Sequence, residues 1–341
     1  MRYRLLGRSG LRVSEAALGT MTFGEDWGWG ASEDECRRIF ERYAEAGGNF
    51  VDTANNYTDG SSERIVGGLV AAERERFVVA TKYTLTTRPD DPNAGGNHRK
   101  NLVQSLEASL RRLGTDYVDL LWLHMRDGIT PIDEIVRALD DQVRLGKVLY
   151  VGISDSPAWL VAQANTLADL RGWSPFVAVQ LPYSVSDRDA ERDVFPMAAA
   201  LGLAVTAWGI LGAGVLTGKP AEERRWPEDG VSERTDNLVS VLRDVAEKHD
   251  CTPAQAAIAW LLTRPAPPVV FPILGARTEA QIVENLAGVD LTLDQEALAR
   301  LDDAGRPQLG FPRSFLESRG VRELIFGSTY ELLARSPGSS E

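Results

Sequence analysis

Short apolar runs alternate with longer amphipathic stretches almost to the end of this chain. The runs are Ala16–Gly19, Phe50–Thr53, Phe77–Lys82, Val118–His124, Val148–Ser154, Val177–Leu181, Ala204–Trp208 and Val269–Leu274. Between them lie stretches with helical spacing, such as Glu33–Ala46 and Arg99–Leu113. In the second of these Leu102, Leu106, Leu110 and Leu113 share one face, and Arg99, Lys100, Glu107 and Arg111 are left to water. The apolar runs lack strict alternation, as expected of strands covered on both faces. Eight strand–helix units in succession predict an α/β fold, a closed (β/α)₈ TIM barrel.

Three segments depart from the rhythm. Tyr3–Leu6 and Leu11–Val13 flank Gly7-Arg8-Ser9-Gly10 and predict an N-terminal β-hairpin that plugs the bottom of the barrel. Leu211–Thr235 is Gly-rich and then charged, too long for an ordinary connection, and is expected to be a functional loop. The chain therefore divides into a barrel over residues 1–305 and a C-terminal extension over 306–341. The polar end of the extension, Ser336–Glu341, is expected to be disordered. A doubly wound dinucleotide fold would need Gly-x-Gly-x-x-Gly after the first strand. The chain has Leu18-Gly19-Thr20-Met21 there, and after Gly212-Ala213-Gly214 the next glycine, Gly218, comes one position too late.

Composition narrows the class. With 341 residues and 43% hydrophobic content the chain can build one large core, and barrels of this length are single domains. A net charge of −12, from 49 acidic and 37 basic residues, argues against nucleic-acid or anionic-membrane partners. Cys36 and Cys251 lie far apart without metal-ligand spacing and read as buried apolar residues, so no metal is expected. Arg2 and Arg4 lead into a strand-like run rather than an apolar leader, and no segment approaches membrane-spanning length. A soluble, cytoplasmic protein is expected.

In such a barrel, chemistry sits at the C-terminal ends of the strands. Three successive strand ends carry titratable groups: Asp52 in Val51-Asp52-Thr53, Lys82 in Ala80-Thr81-Lys82, and His124 in Trp122-Leu123-His124. Tyr57 follows on the short loop after Asp52. A phenol with a pKa of about 10 is a poor general acid–base near neutrality. A nearby ammonium stabilises the phenolate, and Lys82 can supply it, with Asp52 as its counter-charge. His124 can hydrogen-bond the same substrate oxygen. Any one of these residues could be structural; together, at adjacent strand ends, they read as a proton-transfer site.

These residues also carry a family resemblance. Gly48-Asn49-Phe50-Val51-Asp52-Thr53-Ala54-Asn55-Asn56-Tyr57, Ala80-Thr81-Lys82 and Tyr117-Val118-Asp119-Leu120-Leu121-Trp122-Leu123-His124 resemble, in order and spacing, the catalytic blocks of the aldo-keto reductase superfamily. The likeness spans about residues 1–305. Asn55-Asn56 and Gly152-Ile153-Ser154-Asp155-Ser156-Pro157 are most similar to the aryl-alcohol dehydrogenase-like branch. The resemblance implies reversible reduction of aldehydes or ketones, with hydride from a nicotinamide and the proton from Tyr57.

It further implies an extended dinucleotide lying across the barrel mouth. Gly19, Thr20 and Met21 would approach the nicotinamide ribose together with Asp52. Ser154 and Gln180 would hold the carboxamide, and Trp208 would stack on the ring. The loop from Gly209 to Lys219, with Leu211, Gly212, Gly214 and Leu216, would fold over the pyrophosphate, where glycines allow close backbone approach. Gly275, Arg277, Gln281, Glu284 and Asn285 resemble the adenosine site. An arginine there suits a 2′-phosphate, so NADPH/NADP+ is expected, with NADH the alternative. Two departures stand out. Asp155 replaces a frequent asparagine, which puts a second carboxamide contact in doubt, and Trp208-Gly209-Ile210-Leu211 replaces a frequent Tyr-Ser-Pro-Leu.

The substrate wall is expected from Phe23, Trp27, Trp29, Tyr83, Met125 and Arg126. Trp faces suit aromatic aldehydes, but sugars stack on them too, so a keto-sugar or nucleotide-linked deoxysugar is an alternative substrate. A redox-sensing NADPH-binding partner subunit with little turnover is the alternative of another class. Oligomeric state is left open.

Overall fold

The structure is a computed structural model and describes residues 1–220 and 232–333. Ser336–Glu341 and residues 221–231 of the long loop lie outside the described residues. A two-stranded antiparallel hairpin, β1 (Tyr3–Leu5) and β2 (Arg12–Ser14), precedes the barrel. The barrel strands are β3 (Ala17–Gly19), β4 (Phe50–Asp52), β5 (Val78–Tyr83), β6 (Val118–Leu123), β7 (Val148–Ser154), β8 (Phe176–Pro182), β9 (Ala204–Trp208) and β10 (Val270–Gly275). All pair in parallel, and β10 returns to β3 to close the ring. Each strand lies within two residues of the run that predicted it.

Strand side chains alternate between two faces, and here both faces are buried. The outward row, including Leu18, Val51, Val79, Leu121, Ile153, Val179, Val205 and Leu274, packs under the helices against Ile39, Leu102, Leu106, Ile135, Leu139, Leu242 and Ile258. The inward row is a separate cluster: Ala17, Phe50, Val78, Ala80, Leu120, Trp122, Ala178, Ala204 and Phe271. Leu6 and Val13 from the hairpin region complete that cluster, both fully buried, which makes the hairpin the plug its sequence suggested.

The helices are α1 (Glu33–Glu45), α2 (Ser61–Val70), α3 (Arg99–Leu113), α4 (Ile132–Arg144), α5 (Ala158–Arg171), α6 (Val194–Leu201), α7 (Glu233–Lys248), α8 (Pro253–Leu262), α9 (Glu279–Asp290) and α10 (Gln295–Ala304). Their starts are written locally. Ser32 caps α1, and Thr252 with Gln255 forms a reciprocal capping box on α8, with Pro253 opening the first turn. In the extension, α11 (Arg313–Leu316) and α12 (Arg319–Phe326) are short and bury none of their side chains. The first part of the long loop winds into a 3₁₀ turn, Gly212–Thr217, and its end already belongs to α7. Cys36 is fully buried, whereas Cys251 is only partly covered. Its partial exposure, on the turn between α7 and α8, corrects the expectation of two buried cysteines.

Candidate active site

Parity along the strands decides which residues reach the barrel mouth. Phe50 and Asp52 are two apart on β4, so both point inward. On β5 the inward positions are Val78, Ala80 and Lys82. The parallel register aligns Gly19 with Asp52, Asp52 with Ala80, Lys82 with Trp122, and Ser154 with Gln180. The inward face thus changes from apolar to polar over one step, and Asp52, Lys82, His124, Ser154 and Gln180 meet at its upper end.

Lys82 is fully buried. Its ammonium donates to Asp52 Oδ2, and to the Thr53 carbonyl at 2.8 Å. Gln180 Nε2 donates to Asp52 Oδ1 at 3.1 Å, so both carboxylate oxygens are engaged. The Tyr57 ring lies 4.7 Å from Lys82 Nζ and meets the His124 imidazole edge-on at 6.0 Å between centroids. Burial works against the charge of Lys82, but Asp52 and the adjacent Tyr57 outweigh it and hold the ammonium pKa above its usual value. For Tyr57, burial wins over the pull of Lys82, and the phenol lies above its usual pKa. Lys82 therefore offsets burial rather than bringing the phenol down outright. Burial, aided by the Lys82 charge, pushes His124 down to about 3, so its imidazole is neutral at neutral pH. His124 Nδ1 is buried without a hydrogen-bond partner.

A strained turn presents Tyr57. Thr58 and Asp59 take left-handed backbone angles, φ 44° and 54°, followed by Gly60 at 88°. Side chains hold the turn in place: Thr58 Oγ1 donates to the Phe23 carbonyl at 2.6 Å and accepts from Ser62 N at 3.0 Å. Ser62 Oγ in turn donates to the Thr20 carbonyl at 2.7 Å. Beneath, Glu63 accepts from Thr81 Oγ1 and pairs with Arg112 at 2.6 Å, tying α2 to β5 and α3. Each contact hinders the turn from relaxing, which is how such backbone strain persists.

A cavity of about 500 Å³ opens above these groups. It is bordered by Gly19, Thr20, Met21, Trp27, Asp52, Tyr57, His124, Met125, Ser154, Gln180 and Trp208. It continues past Gly209, Leu211, Gly214 and Lys219 to Gly275, Arg277, Gln281, Glu284 and Asn285. Lys82 lies beneath the floor and reaches the cavity through Asp52 and Tyr57. Several expected residues face elsewhere. Phe23 is fully buried in the outer core, and Leu216 likewise. Tyr83, one residue after inward Lys82, must face outward, where its hydroxyl donates to the Asn97 carbonyl at 3.3 Å. Arg126 is folded back onto Asp127 and the Thr130 carbonyl, at 3.0 and 2.8 Å. Trp29, 5.6 Å from Trp27 between ring centroids, and Gly212, at the start of the 3₁₀ turn, do not border the cavity.

Other lining residues were not named as such from the sequence: Asn56, Leu85 and Ile273, and, within the loop expected over the pyrophosphate, Ile210, Ala213 and Thr217. Ile273 lies two residues before Gly275 on β10, so parity alone would have found it. Leu85 and Ala213 sit on loops, where no period applies. Among the described residues no group of His, Cys, Asp and Glu is arranged to hold a metal ion, and no helix is long and apolar enough to cross a membrane.

The cavity wall fits an elongated anionic cofactor. Ser154 Oγ is buried and has no partner, next to the Gln180 amide. Gly209 and Gly275 have open space where a Cβ would stand. Arg277 and Lys219 add cationic side chains to the far end. Gln281 Oε1 already accepts from the Arg277 backbone N–H at 2.7 Å, which leaves the Gln281 amide nitrogen as a donor for an incoming oxygen.

Known proteins resemble this chain over most of its length. The sequence pattern of the aldo/keto reductase family matches residues 16–306. A norsolorinic acid reductase of Aspergillus flavus is 38% identical, over 92% of this chain and 84% of its own. An aryl-alcohol dehydrogenase of Pestalotiopsis microspora is 37% identical, over 94% and 86% respectively. An NADP(+) aryl-alcohol dehydrogenase of Phanerodontia chrysosporium is 35% identical, over 96% and 90%.

Proposed function

Because this chain belongs to the aldo/keto reductase family and is an oxidoreductase that reduces a carbonyl to an alcohol, we propose that it uses NADPH and that its substrate is an aromatic aldehyde or ketone. The observation that carries the chemistry is the convergence of Asp52, Tyr57 and His124 on one cavity, with Lys82 beneath its floor bonded to Asp52. A bound reduced nicotinamide supplies the hydride. The substrate oxygen sits against Tyr57 and His124. His124, neutral, orients it by a hydrogen bond and cannot act as the acid at neutral pH. Tyr57 holds its proton firmly in the free site, above its usual pKa. The alkoxide that develops on the substrate is far more basic than any phenol, so the Tyr57 hydroxyl proton moves to it. Lys82 stabilises the phenolate left behind, and Asp52 keeps Lys82 charged.

For the cofactor, Ser154 and Gln180 would hold the carboxamide, Trp208 would face the ring, and the glycines of the 209–219 loop would admit the pyrophosphate. Arg277 with the Gln281 amide nitrogen supports a 2′-phosphate, which favours NADPH over NADH. The relative named for NADP(+) supports the same choice. For the substrate, Trp27 meets the Tyr57 ring edge-on at 6.5 Å, and Met125 and Leu85 add apolar wall. Relatives named for aryl alcohols support an aromatic carbonyl over a keto-sugar. The test is initial-rate measurement with aromatic aldehydes, aliphatic ketones and keto-sugars, each with NADPH and NADH. Fastest turnover of aromatic carbonyls with NADPH is expected. Preference for keto-sugars or for NADH would overturn the corresponding half, and tight cofactor binding without turnover would point to a partner subunit instead.

A further inference from the structure

Trp208 and Asp155 meet at the rim of the cavity. Trp208 ends β9 with 39% of its surface exposed, and its indole N–H donates to Asp155 Oδ1 at 3.2 Å. Asp155 follows β7 in a left-handed conformation, φ 41°, and its own amide donates to the Gln180 carbonyl at 3.0 Å. That backbone bond and the indole fix where the carboxylate stands. Both residues border the cavity next to Ser154 and Gln180. Among the described residues no ion pair involves Asp155. Lys82 is paired with Asp52 and acts on Asp155 only from a distance. Burial outweighs that pull and the Trp208 hydrogen bond, holding the Asp155 carboxyl above its usual pKa. A carboxylate thus faces the nicotinamide end of the cavity without a counter-ion of its own.

The oxidised nicotinamide ring carries a positive charge and the reduced ring does not. An indole face attracts a cation, and an indole whose N–H donates to a carboxylate is richer in electrons and attracts it more. We propose that the Asp155–Trp208 pair discriminates between the two redox states of the cofactor, holding the cationic oxidised form more tightly than the neutral reduced form. The inference rests on the reading of this cavity as a nicotinamide dinucleotide site. Its consequence is slow release of oxidised cofactor after reduction and a bound equilibrium displaced toward alcohol formation.

The test is a titration of the full chain with NADP+ and with NADPH, at about pH 8, for the native protein and Asp155→Asn. Asparagine tolerates the left-handed backbone and keeps an oxygen for the Trp208 N–H, so this substitution removes the charge and little else. The expected result is a Kd for NADP+ raised roughly tenfold, with that for NADPH changed less than about twofold. Trp208→Phe, which keeps the carboxylate but loses the indole, should shift the ratio of the two constants in the same direction. Equal changes for both cofactor forms, or none, would overturn the inference. If the native protein bound neither form, the cofactor reading itself would fail, a result distinct from an unchanged ratio with binding intact.

Discussion

The lower and upper halves of the barrel interior are built on the same strands and the same inward face, yet they have opposite chemistry. Below, Phe50, Val78, Leu120, Ala178 and Phe271 close around Leu6 and Val13. Above, one step along the same rows, stand Asp52, Lys82 and Gln180, with His124 and Tyr57 just beyond the strands. A charge taken into the lower half would lose its water without a partner. At the upper end each polar group is met by a neighbour or opens on the cavity. Holding the fold and performing the reaction are thereby separated by a few ångströms along each strand, and substitutions in the two halves should fail in different ways.

Tyr57→Phe should break the upper half most completely: carbonyl reduction falls by about 10³-fold, while NADPH affinity and the unfolding midpoint stay near native. Turnover within about tenfold of native would remove Tyr57 as the acid. Phe271→Ala should give the reverse pattern. Loss of a fully buried ring costs about 3–5 kcal/mol, read as a lowered urea midpoint, with turnover per folded molecule changed less than about threefold. A parallel collapse of turnover would show that the two halves are not separable.

A smaller effect lies on the boundary. His124 is 7% exposed, and its native pKa of about 3 lies below the unfolded value. As pH falls the unfolded chain therefore takes up this proton first. The stability contributed by the neutral imidazole is complete above the unfolded pKa and is lost progressively as pH falls toward the native one. Urea midpoints should drop less on acidification in His124→Gln than in the native chain; identical slopes would mean that the site is not desolvated as described. The smallest effect is expected at the far rim, where Arg277→Ala should weaken NADPH roughly tenfold and leave NADH almost unchanged. Equal weakening of both would remove the 2′-phosphate role.

Much of this was legible in the chain. Lys82 and His124 close apolar runs, and a charged or titratable residue at the end of such a run marks a barrel mouth whatever the rest of the fold does. Tyr83 and Phe23 show where legibility stopped. Strands apolar on both faces hide which face is inward, so Tyr83 read as pocket wall, although inward Lys82 commits its neighbour to the outside. Phe23, on a loop, had no period to read.

By itself the sequence determined the eight-unit alternation, the N-terminal hairpin and the placing of Asp52, Lys82 and His124 at strand ends, because each depends on neighbours within a few positions. Tertiary structure decided the rest. Barrel closure brings β10 against β3 and Gln180 onto Asp52, 128 residues apart in the chain. It joins Trp208 to Asp155, and it buries His124 deeply enough to keep it neutral. Those properties belong to groups that meet only when the ring closes, and desolvation depends on everything that surrounds a group, not on the residues beside it in the chain.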